Sequence, residues 1–133
     1  MSGTLRGLAT ISFWADDLEA ASSWYAKLLG VEPYFERPGY REFRIGDYQH
    51  ELGLIDRAYA PPGSSQPGGA IAYWHVDDLP GTVEKLLAMG ATQHQGIREW
   101  GPGFVTASVV DPFGNILGVM TNRHYLDILA GQA

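Results

Sequence analysis

Two ionisable side chains on separate predicted strands, Glu51 and His75, are of the types that enzymes use as general acid and base. If the fold brings them to one surface, such a pair could shift each other's pKa and serve as an acid and a base. Each also has a structural alternative. His75 could be a half-buried histidine that bonds to the backbone at a strand end, and Glu51 a rim carboxylate paired with His50 or an arginine. The sequence leaves both alternatives open.

The composition excludes several classes of function. The chain has 133 residues, 45% of them hydrophobic, which predicts about one domain with a packed core. Its 9 Lys and Arg against 15 Asp and Glu give a net charge of −6, which disfavours nucleic acid and anionic membranes as partners. Because no cysteine is present, disulfides, thiolate metal ligands and thiol catalysis are excluded. No signal-peptide core or membrane-spanning run occurs, so we expect a cytoplasmic protein.

The elements that must position Glu51 and His75 occur twice along the chain. A strand-like run at 8–15 precedes a helix at 16–30, where Asp16 is expected to cap the first amides together with Glu19 and Gly30 to end the helix. A second strand-like run at 70–76 precedes a second helix at 77–90. The two helices open with the same Asp-Asp-Leu, 61 residues apart.

The segments after the two helices match as well, since each contains three short strands joined by Gly-containing turns. Leu52-Gly53-Leu54-Ile55 aligns with Leu117-Gly118-Val119-Met120 in the last of these strands. The sequence therefore predicts an α+β fold of two βαβββ modules within a single domain spanning 1–133. We place module one at 5–58, a Pro/Gly/Ser-rich linker at 59–69, module two at 70–122, and a tail at 123–133 that adds a short helix.

This duplicated pattern resembles the vicinal oxygen chelate superfamily, the glyoxalase/bleomycin-resistance/dioxygenase-like proteins. The resemblance covers roughly residues 5–122, and its marks are Asp16-Asp17-Leu18 with Trp24-Tyr25 and Leu29-Gly30, Asp77-Asp78-Leu79, and Asp111-Pro112-Phe113-Gly114-Asn115. It implies two mixed sheets that form an open, cup-shaped pair of half-barrels with the ligand inside. Members include metal-dependent lyases, isomerases and dioxygenases, and others only bind a toxic metabolite. It also implies a homodimer, because many relatives cover exposed edges by pairing.

The resemblance further implies where metal ligands would lie, on the first and last strand of each repeat. These positions fall on Thr10, Gly53, Ile71 and Gly118. An alternative register would place Glu51 at one of them. Neither set offers the three or more donors that a divalent cation needs, so we expect no metal and no other cofactor.

Strand alternation predicts which side chains line the cup. The expected ligand-binding set combines aromatic walls, a few polar groups and two glycines that leave room, which suits a small organic metabolite: Thr10, Ser12, Trp14, Gly53, Ile71, Tyr73, His75, Gly118 and Met120. Trp100 belongs to this set for another reason: it sits before a turn, where it could close the mouth of the cup as a lid or simply pack in its loop. The leading interpretation is a metal-independent binding or sequestering protein of the bleomycin-resistance-like kind. The rival is a lyase or isomerase using Glu51 and His75 as acid and base on a carbonyl-containing substrate. A third interpretation is a degenerate module for assembly or regulation.

Overall fold

A computed structural model of the protein describes residues 3–4, 6, 8–61 and 67–131. The chain divides into two compact units, Met1–Ser64 and Ser65–Ala133, each with its own sheet and helices. The predicted linker falls partly on residues 62–66, which lie outside the described residues. Residues 5 and 7 of the predicted first module and residues 132–133 of the predicted tail also lie outside them. No helix in the described part of the chain is long and apolar enough to cross a membrane.

Unit one is a βαβββ module with an open four-stranded mixed sheet. Its elements are β1 (Thr10–Ala15), α1 (Leu18–Leu29), β2 (Phe35–Arg37), β3 (Tyr40–Ile45) and β4 (His50–Asp56), followed by a 3-10 turn at Arg57–Tyr59. The strand order is β1-β4-β3-β2. β1 runs parallel to β4 because α1 carries the chain back across the sheet, and the other pairs are antiparallel.

Unit two repeats this topology. Its elements are β5 (Tyr73–His75), α2 (Leu79–Ala88), β6 (Thr92–Gly101), β7 (Phe104–Val110), β8 (Ile116–Asn122) and α3 (Arg123–Leu129), with strand order β5-β8-β7-β6. The α+β class, the duplicated βαβββ pattern and the short helix in the tail are therefore confirmed.

The strand registers agree with the predicted internal alignment. In unit one Gly53 lies opposite Ser12 across the parallel β1–β4 pair, and in unit two Gly118 lies opposite Tyr73 across the parallel β5–β8 pair. Ser12 and Tyr73 each precede their Asp-Asp helix entry by the same number of residues. The two glycines are therefore equivalent positions.

The helix caps differ by one residue from the prediction. Asp17, not Asp16, is the N-cap of α1, and its Oδ1 accepts from the amide of Ala20 at 3.0 Å. Asp16 instead pairs with Arg57 at 3.0 Å. The second Asp of each pair caps because it keeps extended backbone angles while the next residue is already helical. Gly30 ends α1 with φ 73°, as predicted.

The same correction applies in unit two. Asp78, not Asp77, is the N-cap of α2, and its side chain accepts from the amide of Gly81 at 3.1 Å. The helix ends at Ala88 with Met89 as its C-cap, rather than at Gly90.

Each sheet buries one face under its helix. In unit one Phe13, Phe43, Leu52 and Leu54 are buried on the α1 side, and the rings of Phe13 and Tyr25 lie 6.0 Å apart. The opposite face of that sheet is called the open face of unit one. In unit two α2 contacts β7 and β8, and the same alternation leaves an opposite face, the open face of unit two.

The DPFGN segment has a structural role as a tight turn between β7 and β8. The side chain of Asp111 is buried, and its Oδ1 accepts from the amides of Phe113 at 2.9 Å and Asn115 at 2.8 Å. The amide nitrogen of the Asn115 side chain donates to Oδ2 at 3.0 Å. The aspartate therefore satisfies the turn's own backbone donors, as Asx turns do.

Candidate functional site

The open face of unit one gathers polar groups from three adjacent strands. The register aligns Thr10 with Glu51 and Ser12 with Gly53 between β1 and β4. The next row is contributed by β3, where Glu42 lies opposite Gly53, Arg44 opposite Glu51, and Tyr40 opposite Ile55. We call Tyr40, Glu42, Arg44 and Glu51 the open-face cluster.

Tyr40 and Glu42 form the hydrogen-bonded centre of this cluster. The Tyr40 hydroxyl donates to Glu42 Oε1 at 2.9 Å. Burial raises the pKa of Tyr40 to about 12, with further contributions from the hydrogen bond to Glu42 and from the negative charges of Glu42 and Glu51. The phenol therefore stays protonated throughout the physiological range, as a donor whose proton is directed at a carboxylate.

Arg44 lies between the two carboxylates of the cluster. Its guanidinium nitrogens are 3.9 Å from Glu42 and 3.7 Å from Glu51, and its carbon lies 3.8 Å above the ring centroid of Tyr34. These ion-pair distances are longer than a hydrogen bond. The predicted partner of Glu51 was His50 or an arginine, and the structure places Arg44 there. The Glu51 side chain is 37% exposed, so it can still meet a ligand.

The two glycines do not leave room, which corrects the prediction. A Cβ at Gly53 would lie 2.9 Å from Cε1 of Tyr40 and 3.0 Å from its hydroxyl oxygen. A Cβ at Gly118 would lie 2.7 Å from the Ala72 carbonyl oxygen, 2.7 Å from the Tyr73 ring and 2.9 Å from Ile71. In each unit a tyrosine ring from a neighbouring strand fills the space that a side chain would take. The glycines are thus explained by close packing.

The residues at the metal-ligand positions of the resembled superfamily do not fit a divalent cation. Thr10 offers one hydroxyl, already 3.3 Å from the Glu51 carbonyl oxygen, and Ile71 offers none. The tyrosine rings close off the space above Gly53 and Gly118. Among the residues that the structure describes, no three His, Asp or Glu side chains are grouped as a metal site requires.

His75 is engaged by its own unit. Its Nδ1 accepts from the backbone amide of Asn122 at 3.1 Å, and its Nε2 lies 3.3 Å from Asp77. The ring stacks on Tyr125 of α3 with centroids 4.9 Å apart and planes at 10°. These contacts connect the start of α3 to β5. They match the alternative in which His75 is a histidine bonded to the backbone at a strand end. Glu51 belongs to unit one and His75 to unit two.

The other predicted residues of unit two lie on or beside β5, β6 and β8. Tyr73 is 38% exposed and lies beside Gly118, while Met120 pairs with His75 in register. Ile71 precedes β5, which is shorter than predicted. Trp100 lies near the end of β6, just before the turn to β7, so it is part of a strand rather than of a loop, and its indole nitrogen donates to the Thr106 hydroxyl at 2.9 Å.

In unit one, Ser12 is exposed and Trp14 half-buried, and both have the parity of the open face. Sequence reasoning missed the three cluster members on β3, because it considered only the first and last strand of each repeat. The alternation in Tyr40-Arg41-Glu42-Phe43-Arg44-Ile45 was the available signal, since it puts Phe43 and Ile45 in the core and the other set on the open face.

Sequence reasoning also missed a polar group in unit two. An irregularity in β6 sets His94 and Gln95 against Ser108, as a β-bulge does. The Ser108 hydroxyl is buried and lies 2.8 Å from His94 Nδ1 and 3.5 Å from Gln95 Oε1. No strand pattern in the sequence marks where a bulge begins, so this pairing had no signal.

A family model described as Glyoxalase/Bleomycin resistance protein/Dioxygenase superfamily matches residues 7–119. The chain belongs to this superfamily. The predicted resemblance is therefore confirmed.

Solved structures agree on the fold. A glyoxalase-related enzyme from Fulvimarina pelagi is 22% identical, with 90% of each chain covered and a TM-score of 0.69. The bleomycin resistance determinant encoded on transposon Tn5 is 20% identical, covering 87% of this chain and 98% of that one at a TM-score of 0.63. Lactoylglutathione lyase from Agrobacterium tumefaciens is 20% identical, covering 91% and 97% at 0.67. At these identities the likeness establishes the glyoxalase/bleomycin-resistance-like fold alone.

Among curated proteins, the cadmium-induced protein CadI of Mycobacterium bovis is 37% identical over 62 residues. The match covers 47% of this chain and only 36% of that relative, so the chain spans well under half of the curated relative's length.

Proposed function

We propose that the protein binds a small organic metabolite at the open face of unit one, without a metal, as a binding or sequestering member of its superfamily. The observation that carries this proposal is the open-face cluster. Tyr40, Glu42, Arg44 and Glu51 contact one another on a sheet face that a packed core does not require. A few convergent polar groups among aromatic side chains are typical of small-molecule sites. The Tn5 bleomycin resistance determinant shares the fold, which is consistent with a binding role.

The alternative, a lyase or isomerase with Glu51 and His75 as acid and base, has less support. Both ring nitrogens of His75 have partners within unit two, and its side chain is 9% exposed. A general base must reach the proton that it abstracts. A homodimer stays part of the proposal, because exposed strand edges favour the pairing of two chains. A cytoplasmic location also stays part of it. Nucleic acid is not proposed as a partner, because the acidic net charge disfavours it.

The test is capture of small molecules from a cell extract by the purified, chelator-treated chain, followed by native mass spectrometry. We expect a bound species, and we expect Glu42→Gln to weaken its binding, because Gln keeps the size of the side chain but removes its charge. The matched control is Glu36→Gln. The Glu36 carboxylate lies on the other face of the same sheet, 3.9 Å from Arg41. Equal capture by both variants would contradict the proposed site, and capture that requires added metal would contradict metal independence.

A further inference from the structure

The open-face cluster carries a net negative charge. It contains two carboxylates and one guanidinium, and the Glu42 side chain is only 14% exposed. Arg44 does not offer an independent anion site, because any anion that reaches its guanidinium also comes close to Glu42 and Glu51. Arg37, opposite Tyr40 on the edge strand, adds an exposed positive charge that water screens.

The hydrogen-bonding groups of the cluster also favour a ligand that donates hydrogen bonds. The proton of the Tyr40 hydroxyl is directed at Glu42, so the Tyr40 oxygen meets a ligand as an acceptor. Ionised Glu42 and Glu51 are acceptors only. A ligand that supplies N–H or O–H donors meets these acceptors. The donors of the cluster are the N–H groups of Arg44, which lie 3.9 Å and 3.7 Å from the two carboxylates, so a ligand that supplies only acceptors meets fewer partners.

The shape of the site favours a flat ligand. Because the Tyr40 ring fills the space above Gly53, the face has no hole at its centre. Further aromatic rings lie beside members of the cluster: Phe35 is 45% exposed with its ring 6.4 Å from that of Tyr40, and Tyr34 is 64% exposed with its ring under the Arg44 guanidinium. Trp14 lies on the same face. Planar groups stack on such rings more favourably than saturated ones.

We infer that the ligand of this site is a planar organic molecule that donates hydrogen bonds and carries no anionic group. This inference rests on the proposed function, and it names Glu42 as the residue that selects donors over anions and Tyr40 as the residue that selects planar shape. No covalent step is involved.

The experiment titrates the full chain with three matched probes and follows backbone amide shifts by NMR. Benzamide is planar, neutral and donating; benzoate has the same shape but is anionic and lacks donors; cyclohexanecarboxamide has the donors without the plane. We expect benzamide to shift the amides of Ser12, Glu42 and Gly53. Benzoate should bind about tenfold or more weakly, because like charges at an interface are strongly disfavoured.

Cyclohexanecarboxamide should also bind more weakly than benzamide. Glu42→Gln should reduce the preference for benzamide over benzoate, and Glu36→Gln should leave it unchanged. Benzoate or cyclohexanecarboxamide binding as well as benzamide at the same amides would overturn the ligand class while leaving the site intact. If none of the probes shifts amides on the open face of unit one, both the ligand class and the site are overturned. The comparison among probes uses the unmodified chain, so it does not depend on whether a variant folds.

Discussion

Gly118→Ala should destabilise the protein more than the equivalent Gly53→Ala, because the two added methyl groups meet different obstacles. At Gly118 the atom nearest to the added methyl carbon is the backbone oxygen of Ala72, 2.7 Å away. The same oxygen accepts a hydrogen bond from the Gly118 amide at 3.0 Å. A carbonyl cannot rotate aside, so β5 must move. Overpacking costs about 1–3 kcal/mol, and a weakened backbone hydrogen bond adds about 0.5–1.5 kcal/mol. Alanine recovers about 0.5–1 kcal/mol of the cost of glycine inside a strand at either position, so we expect a net loss of about 1–4 kcal/mol.

At Gly53 the obstacle is the outer part of the Tyr40 ring, 2.9 Å from the new methyl group. The ring can turn away at the expense of its hydrogen bond to Glu42, which is worth about 1.5–3 kcal/mol with a charged acceptor. Alanine recovers about 0.5–1 kcal/mol of the cost of glycine inside a strand. We therefore expect Gly53→Ala to lower the free energy of unfolding by about 1–2 kcal/mol. In a Tyr40→Ala background the same substitution should be neutral or stabilising.

Urea denaturation followed by tryptophan fluorescence and far-UV circular dichroism measures the free energy of unfolding of four variants: Gly118→Ala, Gly53→Ala, Tyr40→Ala, and Gly53→Ala combined with Tyr40→Ala. The packing explanation is refuted if Gly118→Ala costs no more than Gly53→Ala, or if the cost of Gly53→Ala persists once the Tyr40 ring is gone. The double-mutant comparison isolates the contact because the two residues touch directly.

Three further predictions concern the turn, the phenol and assembly. Asp111→Ala should lower the free energy of unfolding by about 1–3 kcal/mol, because it removes the carboxylate that accepts from the half-buried Phe113 amide and the buried Asn115 amide, whereas Asp111→Asn should cost less; urea denaturation compares them. Tyr40 should titrate near pH 12, and since the fold favours its neutral form, its contribution to stability should be complete below pH 10 and lost as the pH rises toward 12. The ultraviolet titration of the parent minus that of Tyr40→Phe checks this, and a difference centred at pH 10 would contradict it. Light scattering should give about twice 14.5 kDa for the homodimer, and a monomer at high concentration would contradict that proposal.

The sequence was sufficient for the topology because its signals are local and repeated. The two Asp-Asp-Leu helix entries and the aligned stretches Leu52–Ile55 and Leu117–Met120 mark the same places in both modules, and the structure puts those stretches in β4 and β8. The predicted N-cap was off by one residue because either aspartate of an Asp-Asp pair has a carboxylate that can accept from the first helical amides. Backbone angles at the helix entry decide between Asp16 and Asp17, and a sequence does not display them.

The site was only partly predictable for a different reason. The register places Ser12, Glu51 and Gly53 on one face of the sheet, and parity alone predicts this grouping because alternation in a strand is fixed by its geometry. It could not show that Tyr40, on the neighbouring strand β3, leans over Gly53. A glycine looks the same in sequence whether it leaves space for a ligand or for a neighbouring ring. Long-range packing decides between them.

Binding of a small organic molecule at the open face of unit one, without a metal, is tested by the backbone amide shifts that the captured metabolite produces in the full chain in the presence of a chelator. We expect these shifts to be concentrated at Ser12, Glu42, Gly53 and their neighbours. Glu42→Gln should weaken them, and Glu36→Gln should not. Shifts that leave these residues unchanged, or that appear only when a divalent metal is restored, would contradict metal-free binding at this face.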